Sequence, residues 1–146
     1  MQGLFFEDLQ VGQSAEMTRT VTEADIVAFA AVSGDTNPVH LDEAYAQTTS
    51  FQGRIAHGML SAAYISAVIG TQLPGPGAIY LSQSLKFRRP VRIGAAVVTT
   101  VTVEALDERR GHATFATVCQ VDGKTVVEGE ALIMVPRKTC LLYTSP

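Results

Sequence analysis

Cysteine is nearly missing from this chain: Cys119 and Cys140 are its only two in 146 residues. They build no disulfide framework, and there is neither a CxxC pair nor a cysteine–histidine cluster with zinc spacing. That usage points to a reducing, cytoplasmic setting. Charge is scarce as well: 17% of residues are Asp, Glu, Lys or Arg, against about a quarter in an ordinary soluble domain. The formal net charge of −3 supplies no basic face, which argues against nucleic acid as a partner. A small domain with so few charges is expected to hide part of its surface in an oligomer, most simply a homodimer. Long apolar runs are absent too. The longest, Met59 to Leu73, contains Ser61, Ser66, Thr71 and Gln72 and falls short of the roughly 20 apolar residues that span a bilayer. The N-terminus, MQGLFFEDLQ, has no basic region and reaches Glu7 and Asp8 at once, so it does not read as a signal peptide. Gly and Pro, at 12 and 6, are present in ordinary amounts, which excludes collagen-like and low-complexity classes.

What is present is enough for one core. A chain of this length, 47% hydrophobic, buries about 68–70% of its unfolded surface and leaves no room for a second domain. Gln13 to Val21 alternates loosely, as a strand does. Thr22 follows as an N-cap with Asp25 three residues on, a capping box with Asp in place of Glu. Ile26, Phe29, Ala30 and Ser33 then recur at helical spacing, and Gly34 should stop that helix. Ser33 to Ser50 is polar and turn-rich, with one helical turn expected around Glu43 to Ala46. His57 to Gln72 reads as a helix apolar nearly all round, the pattern of a helix buried on most sides. Pro74-Gly75-Pro76-Gly77 ends it.

The remainder reads as strand. Ile79, Leu81, Leu85 and Phe87 share one parity, up to Arg88-Arg89-Pro90. Ala95 to Leu106 is rich in Val and Thr, and Asp107 to Gly111 makes a hairpin loop. His112 to Val121 places Ala113, Phe115, Thr117, Cys119 and Val121 on one side. Asp122-Gly123 is a two-residue hairpin signal, and Lys124 to Val135 closes the sheet. Long strands joined by tight turns make the sheet antiparallel. One nearly all-apolar helix plus one long antiparallel sheet gives an α+β class, with the sheet wrapped round the helix. Two copies joined edge to edge would hide the sheet's open edge.

Two segments carry groups capable of chemistry. The first is Asp35-Thr36-Asn37-Pro38-Val39-His40-Leu41-Asp42, a turn-rich loop with a carboxylate and an imidazole five residues apart. Pro38 stiffens it and biases Asn37 toward extended backbone. An Asp and a His close together can orient a water and take its proton. The same residues also have an ordinary reading: Asp and Asn in turns bond their own backbone, and Asp42 before Glu43 suits a helix cap. As a calcium loop the segment fails, with His40 where Gly is needed and Ala46 where Glu is needed. As a zinc site it has no HExxH motif and no second histidine nearby. The second segment is Gly53-Arg54-Ile55-Ala56-His57-Gly58-Met59-Leu60. Gly58 opens the apolar helix, where free N–H groups and the helix dipole suit an oxygen gaining negative charge. Alternatively Gly58 merely allows close packing, and His57 reads as a satisfied core histidine.

Taken together, Ser33 to Asp42, Phe51, Gly53 to Leu60, Leu73 to Leu81 and Phe87-Arg88-Arg89-Pro90-Val91 resemble the MaoC-like hydratases, most closely the (R)-specific enoyl-CoA hydratases. The resemblance covers about Phe5 to Pro136. It implies a hot-dog fold, usually a homodimer, and reversible syn addition of water to a trans-2-enoyl-CoA to give an (R)-3-hydroxyacyl-CoA, with no cofactor and no metal. By position it implies Asp35 and His40 as the catalytic pair and the Gly58 N–H as the donor to the thioester carbonyl. Ser66 matches a serine that supports the site, though a small residue packing within the helix would look the same. Lys86, Arg54, Arg88 and Arg89 are available for the phosphates of CoA, as cations that also serve simply as solvated charges.

Other readings on the same scaffold are a hot-dog acyl thioesterase, a 3-hydroxyacyl-acyl-carrier-protein dehydratase and a non-enzymatic acyl-thioester binding module. The tail from Thr139 (TCLLYTSP) fits neither the strand pattern nor the resemblance. It is read as lying outside a domain of residues 1–138, disordered or extraneous, with Cys140 in it.

Overall fold

Residues 2–138 are described by the structure, a computed structural model. The expected tail and Cys140 lie outside the described residues. A short 3-10 turn (Phe6–Asp8) leads into strand β1 (Ser14–Thr20) and helix α1 (Glu23–Ser33). Two short helices follow, α2 (Pro38–Leu41) and α3 (Glu43–Gln47), and then the central helix α4 (Gly58–Thr71). The rest is β2 (Ile79–Gln83), β3 (Lys86–Phe87), β4 (Ala96–Asp107), β5 (His112–Val121) and β6 (Lys124–Met134). The strands form one six-stranded antiparallel sheet in the order β1-β4-β5-β6-β2, with β3 also paired to β6. This is the α+β, hot-dog arrangement, with α4 packed against β4, β1, β5 and β6.

Local chemistry explains the elements. The Thr22 hydroxyl accepts from the Asp25 N–H at 3.1 Å, and the Asp25 carboxylate accepts from the Thr22 N–H at 3.0 Å, completing the expected box. At the far end of α1, Gly34 takes the left-handed conformation, φ 79°, that terminates a helix. Asp122 and Gly123, with φ of 52° and 76°, make the expected turn between β5 and β6. Alternation does the rest: Val97, Thr99, Val101 and Val103 of β4 and Ala113, Phe115, Thr117 and Cys119 of β5 are buried. They meet Leu60, Tyr64, Ile65, Val68 and Ile69 of α4 in a single core.

The structure departs from the sequence expectations in two places. Pro38–Leu41 is a helical turn where a loop was expected. Asn37 caps it by accepting from the Val39 N–H, and Pro38 takes the first helical position, which has no N–H to lose. Ile79 to Phe87 is two strands and not one. A register shift falls between Tyr80 and Ser82, and Ser84–Leu85 crosses β6 at Gly129, where a Cβ would collide with the Ser84 carbonyl. Ile79, Leu81 and Phe87, which share one parity in the sequence, are 51%, 43% and 54% exposed. As its apolar pattern implies, α4 is buried on most sides, but not on all. Met59, Ala63, Ser66 and Gly70 form a bare stripe along it. Among the described residues, no helix is long and apolar enough to cross a membrane.

Candidate active site

The segment between α1 and α4 folds back on itself through hydrogen bonds made largely to main-chain atoms. The Ser33 hydroxyl donates to the Phe29 carbonyl and accepts from the Asp35 N–H. One Asp35 carboxylate oxygen accepts from the Asn37 N–H at 3.2 Å, and Asp42 caps α3 by accepting from the Tyr45 N–H. The ordinary turn roles foreseen for these residues are therefore real. They use one oxygen of Asp35 and leave its carboxylate exposed at the surface.

The imidazoles are oriented by carbonyls. His40 Nδ1 lies 2.8 Å from the Ile55 carbonyl oxygen. A carbonyl only accepts, so neutral His40 carries its proton on Nδ1 and presents Nε2 as a lone pair. His57 Nε2 lies 2.9 Å from the Asp35 carbonyl oxygen, which places the His57 proton on Nε2 by the same logic. The two rings stack with centroids 3.8 Å apart and planes 27° from parallel, and the Phe29 ring sits 4.9 Å from His57. Both histidines are buried. Asp35, His40 and His57 thus bring one ligand-type atom each within 4.8 Å of one another. Stacked rings send their in-plane lone pairs along nearly parallel planes, and each ring already has one nitrogen on a carbonyl. Convergence of both histidines on one cation would require the stack to open.

Directly after His57, α4 begins. His57 offers no side-chain cap, and no hydrogen bond among the described residues takes the Gly58 N–H. A Cβ at this position would stand 2.7 Å from the Phe87 ring, so only glycine fits beneath it without displacing that ring. Beside Gly58 opens a cleft of about 280 Å³ walled mainly by Phe51, Ile55, Ala56, Phe87 and Val91. Asp35 and His40 do not line it. Ile55 connects the two places, one wall of the cleft on its side chain and the His40 anchor on its carbonyl.

The structure gathers Asp35, His40 and the start of α4 from separate stretches of sequence. Ser66 is not gathered with them. It lies on the bare stripe, about 12 Å along the helix from Gly58. Arg54 is not free for a phosphate: its guanidinium pairs with Glu23 at 2.8 Å and its Nε donates to the His40 carbonyl at 2.7 Å. Arg88 pairs with Glu128, and Arg89 donates to the Thr125 carbonyl. Beyond an arginine three residues before a histidine that precedes a helix-opening glycine, the contacts of His57, Phe29 and Arg54 have no signature in residue type or spacing.

A helix cradled in an antiparallel sheet, with Asp and His on the strap that leads into it, defines a class. A family model, the MaoC-like domain, matches residues 7–125, and the chain belongs to that family. An (R)-specific enoyl-CoA hydratase of Rhodospirillum rubrum is 60% identical over 134 residues, covering 92% of this chain and 93% of that protein. A 3-hydroxybutyryl-CoA dehydratase of Methylorubrum extorquens is 50% identical, over 92% of this chain and 86% of its own. Among solved structures, the unliganded R-hydratase PhaJ1 of Pseudomonas aeruginosa superposes with a TM-score of 0.88 at 51% identity, covering 93% of this chain and 88% of that one.

Proposed function

We propose that this protein is an enoyl-CoA hydratase that adds water reversibly to a trans-2-enoyl-CoA and yields the (R)-3-hydroxyacyl-CoA. The observation that carries the reading is the orientation of His40. Its Nδ1–H is held by the Ile55 carbonyl, which leaves Nε2 as the basic nitrogen, and the His40 imidazole and the Asp35 carboxylate bring ligand-type atoms within 4.8 Å of each other. Such a pair holds a water between an acceptor and a base.

In the forward step the water oxygen bonds to C3 while His40 Nε2 takes one of its protons. The C2=C3 π electrons shift toward the thioester, and the carbonyl oxygen becomes an enolate. The Gly58 N–H, at the positive end of α4, stabilises that oxygen, an interaction typically worth about 3–4 kcal/mol in comparable sites. The electrons then return to C2, which accepts a proton from the Asp35–His40 pair on the face the water came from, so addition is syn. Every atom is accounted for by substrate and water, and the scheme calls on no metal or cofactor.

The working unit in this reading is a homodimer in the cytoplasm. Support for pairing comes from β2, an edge strand that leaves Ile79, Tyr80 and Leu81 exposed, and from the bare stripe of α4. Ser66 lies on that stripe, so its contribution belongs to the paired molecule. A cytoplasmic setting suits Cys119, a buried free thiol.

The test is the loss of the conjugated absorbance of crotonyl-CoA on adding the protein, followed by chiral analysis of the product. The (R)-3-hydroxy product is expected. Release of free thiol with no hydration would replace the reading with a thioesterase, and binding without turnover would replace it with a binding module.

A further inference from the structure

His57 is used nowhere in the scheme above, yet it touches every part of it. Its ring stacks on His40, its Nε2–H donates to the backbone carbonyl of Asp35, and its own carbonyl begins the peptide whose N–H belongs to Gly58. It is 2% exposed, and its Nδ1 is buried with no hydrogen-bond partner among the described residues. An orphaned buried acceptor is destabilising, because burial strips it of water and gives nothing in return. A residue present only to fill space would avoid that cost, since a phenyl ring has similar shape and no lone pair to bury. The histidine is explained by what its other nitrogen does. The Nε2–H joins the start of α4 to residue 35, 22 positions earlier, and so fixes the backbone from which the Asp35 carboxylate projects. The face of the same ring prevents His40 from swinging about its χ angles, because any swing must break the 3.8 Å stack. Phe29 of α1, 4.9 Å away, backs the column.

We propose that His57 is a positioning residue that sets Asp35, His40 and the Gly58 N–H in mutual register through one hydrogen bond and one stacking contact. The inference rests on the hydratase reading for its kinetic arm and on geometry alone for its spectroscopic arm. A misplacement of about 1 Å in such an arrangement costs on the order of 10²-fold in rate.

The test compares His57→Phe, which keeps a ring for the stack and removes the donor, with His57→Gln, whose side-chain amide can donate to the same carbonyl. The expected result is a fall in kcat of about 10²-fold for His57→Phe, with KM for crotonyl-CoA changed less than about threefold, and recovery to within about tenfold of wild type for His57→Gln. Rates are taken per folded molecule, with thermal melts alongside. In parallel, ¹⁵N spectra of histidine-labelled protein read the His40 tautomer. A single Nδ1–H form is expected in wild type and His57→Gln, and a mixture or exchange-broadened signal in His57→Phe. Equal losses of kcat and melting temperature in both variants would reduce His57 to a structural residue and overturn the proposal. So would wild-type kcat and an unchanged His40 signal in His57→Phe. If wild type fails to hydrate crotonyl-CoA, the hydratase reading falls, and the His40 spectra still decide the role of His57.

Discussion

Between Ala96 and Val121 nearly every second residue of β4 and β5 points inward, and the buried side chains are Val, Ala, Thr, Phe and Cys. Between Ser33 and Gly58 the few buried residues include both His40 and His57, and the backbone is held by Ser, Asp, Asn and Arg bonding to main-chain atoms. The sheet is maintained by apolar area, which is tolerant of which apolar residue supplies it. The strap is maintained by individual polar contacts, each of which fails when its residue type changes. The two regions should therefore answer mutation differently, the strap in rate and the sheet in stability.

The largest separation is expected at Asp35. Asp35→Asn should lower kcat for crotonyl-CoA by about 10²–10⁴-fold. Its side chain is exposed, so unfolding free energy in urea should move by no more than about 0.5 kcal/mol. His40→Ala should lose activity to a similar degree. Full activity in either variant would remove the assigned base or its partner. The opposite pattern is expected at Phe115, which is fully buried between the sheet and α4. Phe115→Ala should cost about 3–5 kcal/mol in a urea melt while the kcat of the molecules that remain folded stays near wild type. A rate loss that exceeds the folded fraction would show that the sheet also shapes the site.

Arg54 joins the two kinds of effect. Its guanidinium, largely shielded, pairs with Glu23 of α1 and also donates to the carbonyl of His40. Arg54→Met keeps the aliphatic stem and removes both contacts, leaving that carbonyl without its donor. A loss of about 1–3 kcal/mol in stability is expected, with a drop in kcat smaller than that of Asp35→Asn. If stability falls and kcat does not, the strap holds His40 without the arginine.

The same contrast decides what could be read from the sequence. β4, β5 and β6 announce themselves by alternation and by Asp122-Gly123, because burial on one face imposes a period on the residues. The roles proposed for Asp35, His40 and Gly58 rest on residue type, spacing and family resemblance. The partner of His57 could not be read that way, since it is the main-chain carbonyl of residue 35 and a carbonyl has no letter in the sequence. The break between β2 and β3 was hidden for a related reason: it depends on the close approach of Ser84 to Gly129, 45 positions away, visible only once both are in place. The helical turn at Pro38–Leu41 had a local signal in Asn37-Pro38, and the density of other turn residues around it masked that signal. Nor could the all-round apolar pattern of α4 reveal that one stripe stays bare within a single chain.

The smallest expected effect lies at the junction of the two regions, in the capping box of α1. Thr22→Ala removes the hydroxyl that accepts from the Asp25 N–H and should cost about 0.5–2 kcal/mol with kcat unchanged, since neither residue reaches the Asp35–His40 pair. The box adds a pH signature. The Thr22 backbone N–H, and then its hydroxyl, hold the Asp25 carboxyl below the ordinary carboxylate range. A carboxylate depressed in the folded state contributes stability above its unfolded pKa and loses that contribution as pH falls through the folded value. Wild type and Asp25→Ala should therefore differ most in urea melts near neutral pH and converge in acid, below the ordinary carboxylate range. A difference that persists there would mean that Asp25 acts through packing and not through its charge. A loss of kcat in either variant would mean that the start of α1 governs the strap through Phe29, and the boundary between the two regions would have to be redrawn one helix earlier.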